Sequence, residues 1–123
     1  MKKLITGAGG FAAIVVAWAV LAASPATSVA GGDGKATFEK MCASCHGADG
    51  RGNAEKAATL KLDAALLNLG RPESAKIARD ELKKILLEGK EKMPKYGKKL
   101  KADEQDPVLD YAMQLATEIR GKK

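Results

Sequence analysis

Histidine is nearly missing from this sequence of 123 residues: there is one, His46, beside two cysteines, Cys42 and Cys45. A closed structural zinc site needs four ligands, usually from two Cys/His pairs, so this set cannot complete one. Aromatic residues are also scarce, with one Trp, two Tyr and two Phe. A chain this short buries a modest share of its surface, and with so few large side chains it needs a staple or a bulky apolar guest to close a core. No stretch alternates apolar and polar residues long enough to make a useful strand, which removes the βαβ setting of a thioredoxin-like Cys-x-x-Cys pair. The formal net charge is +6, yet no basic helix with interleaved aromatics accompanies it, so nucleic acid is not an expected partner.

What the chain does contain is Met41-Cys42-Ala43-Ser44-Cys45-His46-Gly47. Cys, two spacers, Cys and His is the spacing that attaches a c-type haem. Two thiols three residues apart lie on one face of a helical turn, and each can add to one haem vinyl group. His46 returns to that face one turn after Cys42, with its imidazole directed at the iron of a tethered macrocycle. A plain disulfide would leave His46 without a task. Covalent haem would also supply the apolar body that the core lacks.

The N-terminus reads as an export signal. Lys2 and Lys3 precede an uncharged apolar run over residues 4–23, followed by Pro25 and the small residues Ser28 and Ala30 before Gly31. Charged start, apolar centre and small-residue cleavage site mark a secretory signal peptide over residues 1–30. The alternative is a retained membrane anchor. Either way the lysines hold the N-terminus inside and residues 31–123, one domain, reach the periplasm. Cleavage removes two lysines and no acid, so the domain stays mildly basic.

Along that domain the pattern is helical throughout. Asp33 is placed to cap a helix running from about Gly34 into the Cys motif, with Phe38, Met41, Cys42 and Cys45 at helical spacing. Residues 47–53 hold three glycines with Asp and Asn, suiting turns that need positive φ. Asp63 is a candidate cap for a helix ending at Gly70. Ile77, Ala78, Leu82, Ile85 and Leu86 stripe a helix that starts at Ser74 or near Asp80 and stops at Gly89. The last helix is expected from Asp106 as cap with Pro107 at its first position, Asp103 being an alternative cap. The fold class is all-α, about four helices wrapped around one covalently attached haem.

With one histidine, the second axial position falls to a Met thioether, a Lys, water or nothing. Met93 is the strongest candidate, since it sits in a loop whose backbone Pro94 stiffens, and Met with His is a known pair for c-type haem. Met41 is tied to the attachment side, and Met113 reads as core filler on the last helix.

Taken together, Gly34 with Phe38, residues 42–47, Gly50 to Gly52, residues 85–90, Met93-Pro94 and the closing helix with Tyr111 resemble a small bacterial class I cytochrome c. The resemblance implies thioether links at Cys42 and Cys45, iron ligation by His46 and Met93, and a crossing of first and last helices near Gly34, Phe38 and Tyr111. One departure stands out: such cytochromes carry a proline after the haem motif whose region offers a carbonyl to the ligand histidine, and here none occurs before Pro72. A carbonyl from residues 58–62 is the expected substitute. Arg51, Arg71 and Tyr96 are the candidates for holding the haem propionates.

Two filled axial positions leave no site for substrate. The expected role is therefore a periplasmic monohaem carrier of single electrons by outer-sphere transfer, not an enzyme. Lys90, Lys92, Lys95, Lys98, Lys99 and Lys101 surround Met93 against Glu91 alone. They are either a solvated loop or a docking surface for an acidic redox partner. The alternative function is a haem-based ligand binder or sensor with an open or labile sixth position. Gas-binding four-helix cytochromes place the Cys motif near the C-terminus, unlike this chain.

Overall fold

Asp33 opens the helical domain by accepting hydrogen bonds from the amides of Lys35 and Ala36 at 3.0 and 3.3 Å. These are donors that any helix start leaves unpaired. The computed structural model describes residues 9–10 and 33–122; the export signal expected over residues 1–30 lies almost wholly outside the described residues. α1 spans Gly34–Met41. It does not continue through the Cys motif as the spacing predicts. Cys42, at φ −115°, ends it, and a four-residue α2, Ala43–His46, follows. The Cys42 carbonyl accepts from both Cys45 and His46, so the motif forms its own turn with a new axis.

α3 spans Ala54–Leu60 and stops at Lys61 in the left-handed region, φ +56°. Asp63 then caps as expected, its carboxylate accepting from the Ala65 amide at 2.9 Å, but the product is a 3-10 turn, Ala64–Leu67, rather than an α-helix. A second 3-10 turn, Ser74–Lys76, precedes α4, Arg79–Glu88. The shorter of the two predicted starts is thus the one adopted.

α5 is the longest element, Ala102–Gly121. It begins a turn earlier than the Asp106-Pro107 pair suggests. The Glu104 carboxylate reaches back to accept from the Lys101 amide at 2.9 Å, and Asp106 is left to pair with α4 instead. Among the described residues there is no strand, and one isolated bridge joins Lys90 to Met93.

α1 crosses α5 where Gly34 meets Pro107. A Cβ on Gly34 would collide with the Pro107 carbonyl oxygen and lie 2.6 Å from its carbon, so only glycine lets the two backbones touch. One turn on, Phe38 meets Tyr111 edge-on, with centroids 5.4 Å apart and planes at 66°. Phe38 and Val108 are each 1% exposed and anchor a core completed by Leu86, Leu100, Leu109 and Leu115. This matches the crossing implied by the resemblance. α4 joins α5 through charge: Arg79 pairs with Asp106 and Asp110 at 3.1 and 2.7 Å, and Lys83 with Asp106 at 3.0 Å.

Candidate haem centre

The glycine-rich loop after His46 folds back over the motif. Gly47, Gly50 and Gly52 take φ of +77°, +75° and +97°, a region that L side chains avoid. The loop returns close enough for Gly52 to donate to the His46 carbonyl at 2.7 Å and Asn53 to the Cys45 carbonyl at 3.0 Å. The Gly50 carbonyl in turn accepts from Leu69 at 2.8 Å, which draws the Asp63-capped turn alongside the motif.

That turn delivers the Leu67 carbonyl oxygen to His46 Nδ1 at 2.8 Å. The partner lies beyond the expected residues 58–62, because the chain first closes α3 and then spends a further turn before meeting the imidazole. A carbonyl oxygen has no proton to give, so Nδ1 carries the hydrogen and Nε2 keeps its lone pair. Burial holds the His46 pKa below its ordinary value, with the Leu67 contact opposing and the Arg71 charge adding to the effect. The imidazole is therefore neutral at pH 7, the state a metal ligand requires.

Cys42 and His46 open onto a cavity of about 200 Å³. α4 contributes Leu82, Ile85 and Leu86 to its walls, and α5 contributes Val108, Leu109, Ala112, Met113 and Ala116. Met93 lines the same cavity. Of the four predicted site residues, the structure thus gathers Cys42, His46 and Met93 on one cavity, with Cys45 half-buried on the turn between. Met113 joins them from α5, while Met41 packs on the core.

The Met93 loop is held at several points. Lys90 and Met93 exchange backbone hydrogen bonds at 3.0 and 2.8 Å around Glu91, which sits at φ +52°. Tyr96 and Gly97 donate to the Leu86 and Leu87 carbonyls at the end of α4. The Tyr96 hydroxyl reaches the Met41 carbonyl at 3.1 Å, tying this loop to the residue before Cys42. The Tyr96 hydroxyl, a candidate for holding a propionate, donates in this structure to a backbone carbonyl and so acts as a strut. Arg51 is exposed and lies against Asp49 at 3.9 Å.

Cys42 and Cys45 are not joined by a disulfide. Burial first, and then the neighbouring Cys45, push the Cys42 pKa up to about 11. A redox-active Cys-x-x-Cys needs an attacking thiol of depressed pKa, and the Cys42 thiol is shifted the opposite way. Among the described residues no group of three His, Cys, Asp or Glu side chains converges as a metal site. A porphyrin suits what is there: apolar walls, one neutral imidazole with a free lone pair, and two adjacent thiols. Two residues beyond the cavity-lining Leu69, Arg71 Nε is buried with no hydrogen-bond partner among the described residues, as a group meant for an anion would be.

A family model described as cytochrome C oxidase, cbb3-type, subunit III matches residues 30–111, more than half of the chain. The chain belongs to that family. It is a class I c-type cytochrome domain, an electron-transfer protein with covalently bound haem c that works with redox partner proteins. No curated protein matches it. Among the described residues no helix is long and apolar enough to cross a membrane.

Proposed function

We infer that residues 31–123 form a periplasmic monohaem electron carrier exported by the segment 1–30, with Cys42 and Cys45 as the thioether anchors and His46 and Met93 as the iron ligands. The observation that carries this reading is the shared cavity of Cys42, His46 and Met93. When bound, the haem supplies a one-electron ferric/ferrous couple. The chain's own residues set its terms. His46 offers Nε2 because Leu67 holds the hydrogen on Nδ1, and that hydrogen bond raises the basicity of the ring. Met93 offers a thioether, which favours ferrous iron. If His46 and Met93 both hold the iron, no position would remain open for a ligand, which favours a carrier over a gas binder.

The family description names an oxidase subunit, so a cytochrome oxidase is the class of partner we favour. Lys90, Lys92, Lys95, Lys98, Lys99 and Lys101 are all exposed around Met93. A patch of one sign speeds encounter with an acidic partner, and salt screens it. Electron-transfer rates should therefore fall with ionic strength.

The test uses the exported protein. Intact mass should show one added haem on a chain starting near Gly31, and the ferric form should carry the weak absorption band near the red end that marks Met ligation. Met93→Ala should lose the band and bind carbon monoxide, whereas Met113→Leu should keep it. No haem mass, or a band that survives Met93→Ala, overturns the assignment.

A further inference from the structure

The break between α1 and α2 leaves one acceptor over. Had the helix run on through the motif, the Met41 carbonyl would take the amide of Cys45, four residues along. That amide turns instead to the Cys42 carbonyl at 3.2 Å, and the His46 amide joins it there at 3.0 Å. A carbonyl at the end of a helix then needs a donor from elsewhere. The Tyr96 hydroxyl supplies it at 3.1 Å, from 55 residues further along the chain.

Tyr96 is itself firmly seated. Its amide donates to the Leu86 carbonyl at 3.0 Å, and its own carbonyl accepts from Lys99 and Leu100, each at 2.9 Å. Leu100 is buried in the core with Phe38 and Leu86. The next residue, Gly97, donates to the Leu87 carbonyl at 3.1 Å. The stretch before Tyr96 has no such support. Among the described residues, the backbone of 90–95 makes one pair of hydrogen bonds, and Lys90 and Met93 exchange it between themselves. Met93 therefore depends for its place on what holds the two ends of its loop. The bond from Tyr96 to Met41 is also the only hydrogen bond among the described residues that joins 89–100 to 41–47.

We propose that Tyr96 is a positioning residue: its hydroxyl, bonded to the Met41 carbonyl, keeps Met93 on the iron by tying the Met93 loop to the turn that anchors the haem. This rests on the reading of Met93 as the sixth ligand. Met41 directly precedes Cys42, and Met93 lies three residues before Tyr96, so the hydrogen bond spans the site between its covalent anchor and its thioether. Losing the hydroxyl keeps the aromatic ring but removes that tie, and the loop opens more often, as a segment with few contacts of its own does.

The experiment compares wild-type, Tyr96→Phe and Asp33→Ala holoproteins, each first weighed for attached haem. Ferric protein is mixed with rising concentrations of imidazole, which can take the position only after the Met93 thioether has left. The observed rate levels off at the rate of that departure. Tyr96→Phe should raise the plateau about fivefold, the worth of one hydrogen bond, while the red-end band stays. Asp33→Ala removes the cap at the other end of α1 and should lower the urea midpoint, yet leave the plateau where it is. Lost stability is thereby separated from lost positioning. An unchanged plateau in Tyr96→Phe, or an equal rise in Asp33→Ala, overturns the proposal and leaves Met93 as the ligand. A wild type with neither red-end band nor plateau overturns the Met93 reading, and the proposal with it.

Discussion

The Nδ1 of His46 lies 2.8 Å from the carbonyl oxygen of Leu67, across a sequence separation of 21 residues. The candidate iron ligand is thus oriented by a backbone atom on a 3-10 turn, and that turn is held at its start by Asp63. Asp63→Ala should cost about 1 kcal/mol in denaturant, as loss of a cap does. The sharper readout is the His46 Nδ1 proton, whose exchange with solvent, followed by NMR on the holoprotein, should quicken. Unchanged exchange would show that Leu67 is held in place by other contacts.

Gly34 sits at the first position of α1, where alanine would ordinarily be the better helix former by about 1 kcal/mol. Here the added methyl meets the Pro107 carbonyl, and helices α1 and α5 would have to separate. Gly34→Ala should therefore destabilise the holoprotein, by about 1–3 kcal/mol as overpacking does. The urea midpoint decides between propensity and packing, because the two effects have opposite signs.

Glu91 holds a left-handed conformation, φ +52°, inside the turn that presents Met93. A side-chain-bearing residue costs roughly 1 kcal/mol there, and glycine is exempt. Glu91→Gly should raise the melting temperature of the holoprotein, while Glu91→Ala should leave it nearly unchanged. Equal melting temperatures for all three would mean that the turn relaxes at no cost.

Much of this architecture could be read from local chemistry, and the failures have a common cause. Asp33, Asp63 and Gly89 act within a few residues of themselves, so their caps and stops were visible in sequence. The Cys-x-x-Cys-His spacing is equally local. Leu67 was missed because a backbone carbonyl has no sequence signature, and a 3-10 turn moved it beyond residues 58–62. Asp106-Pro107 has the form of a helix start, yet the Asp106 carboxylate finds Lys83 and Arg79 on α4, partners that no local pattern announces.

The same Asp106 carries a pH dependence whose sign is fixed by its partners. Hydrogen bonds from Lys83 and then Arg79 hold its carboxyl below the ordinary value of 3.8. Between the depressed folded value and the unfolded one, the unfolded chain binds the proton more readily, so acid favours unfolding. The contribution is complete above the unfolded pKa and disappears as pH falls through the folded one. The Arg79 pKa is pushed upward by Asp110 and then Asp106, so the guanidinium stays charged throughout that range. Urea denaturation of the holoprotein at a series of pH values below about 4 should show a shallower loss of stability for Asp106→Asn than for the wild type. At neutral pH the cost of the same substitution should shrink as salt is added, since the cluster is solvent-exposed and screened. Superimposable acid limbs would mean that the α4–α5 ion pairs contribute nothing to holding those two walls of the cavity together.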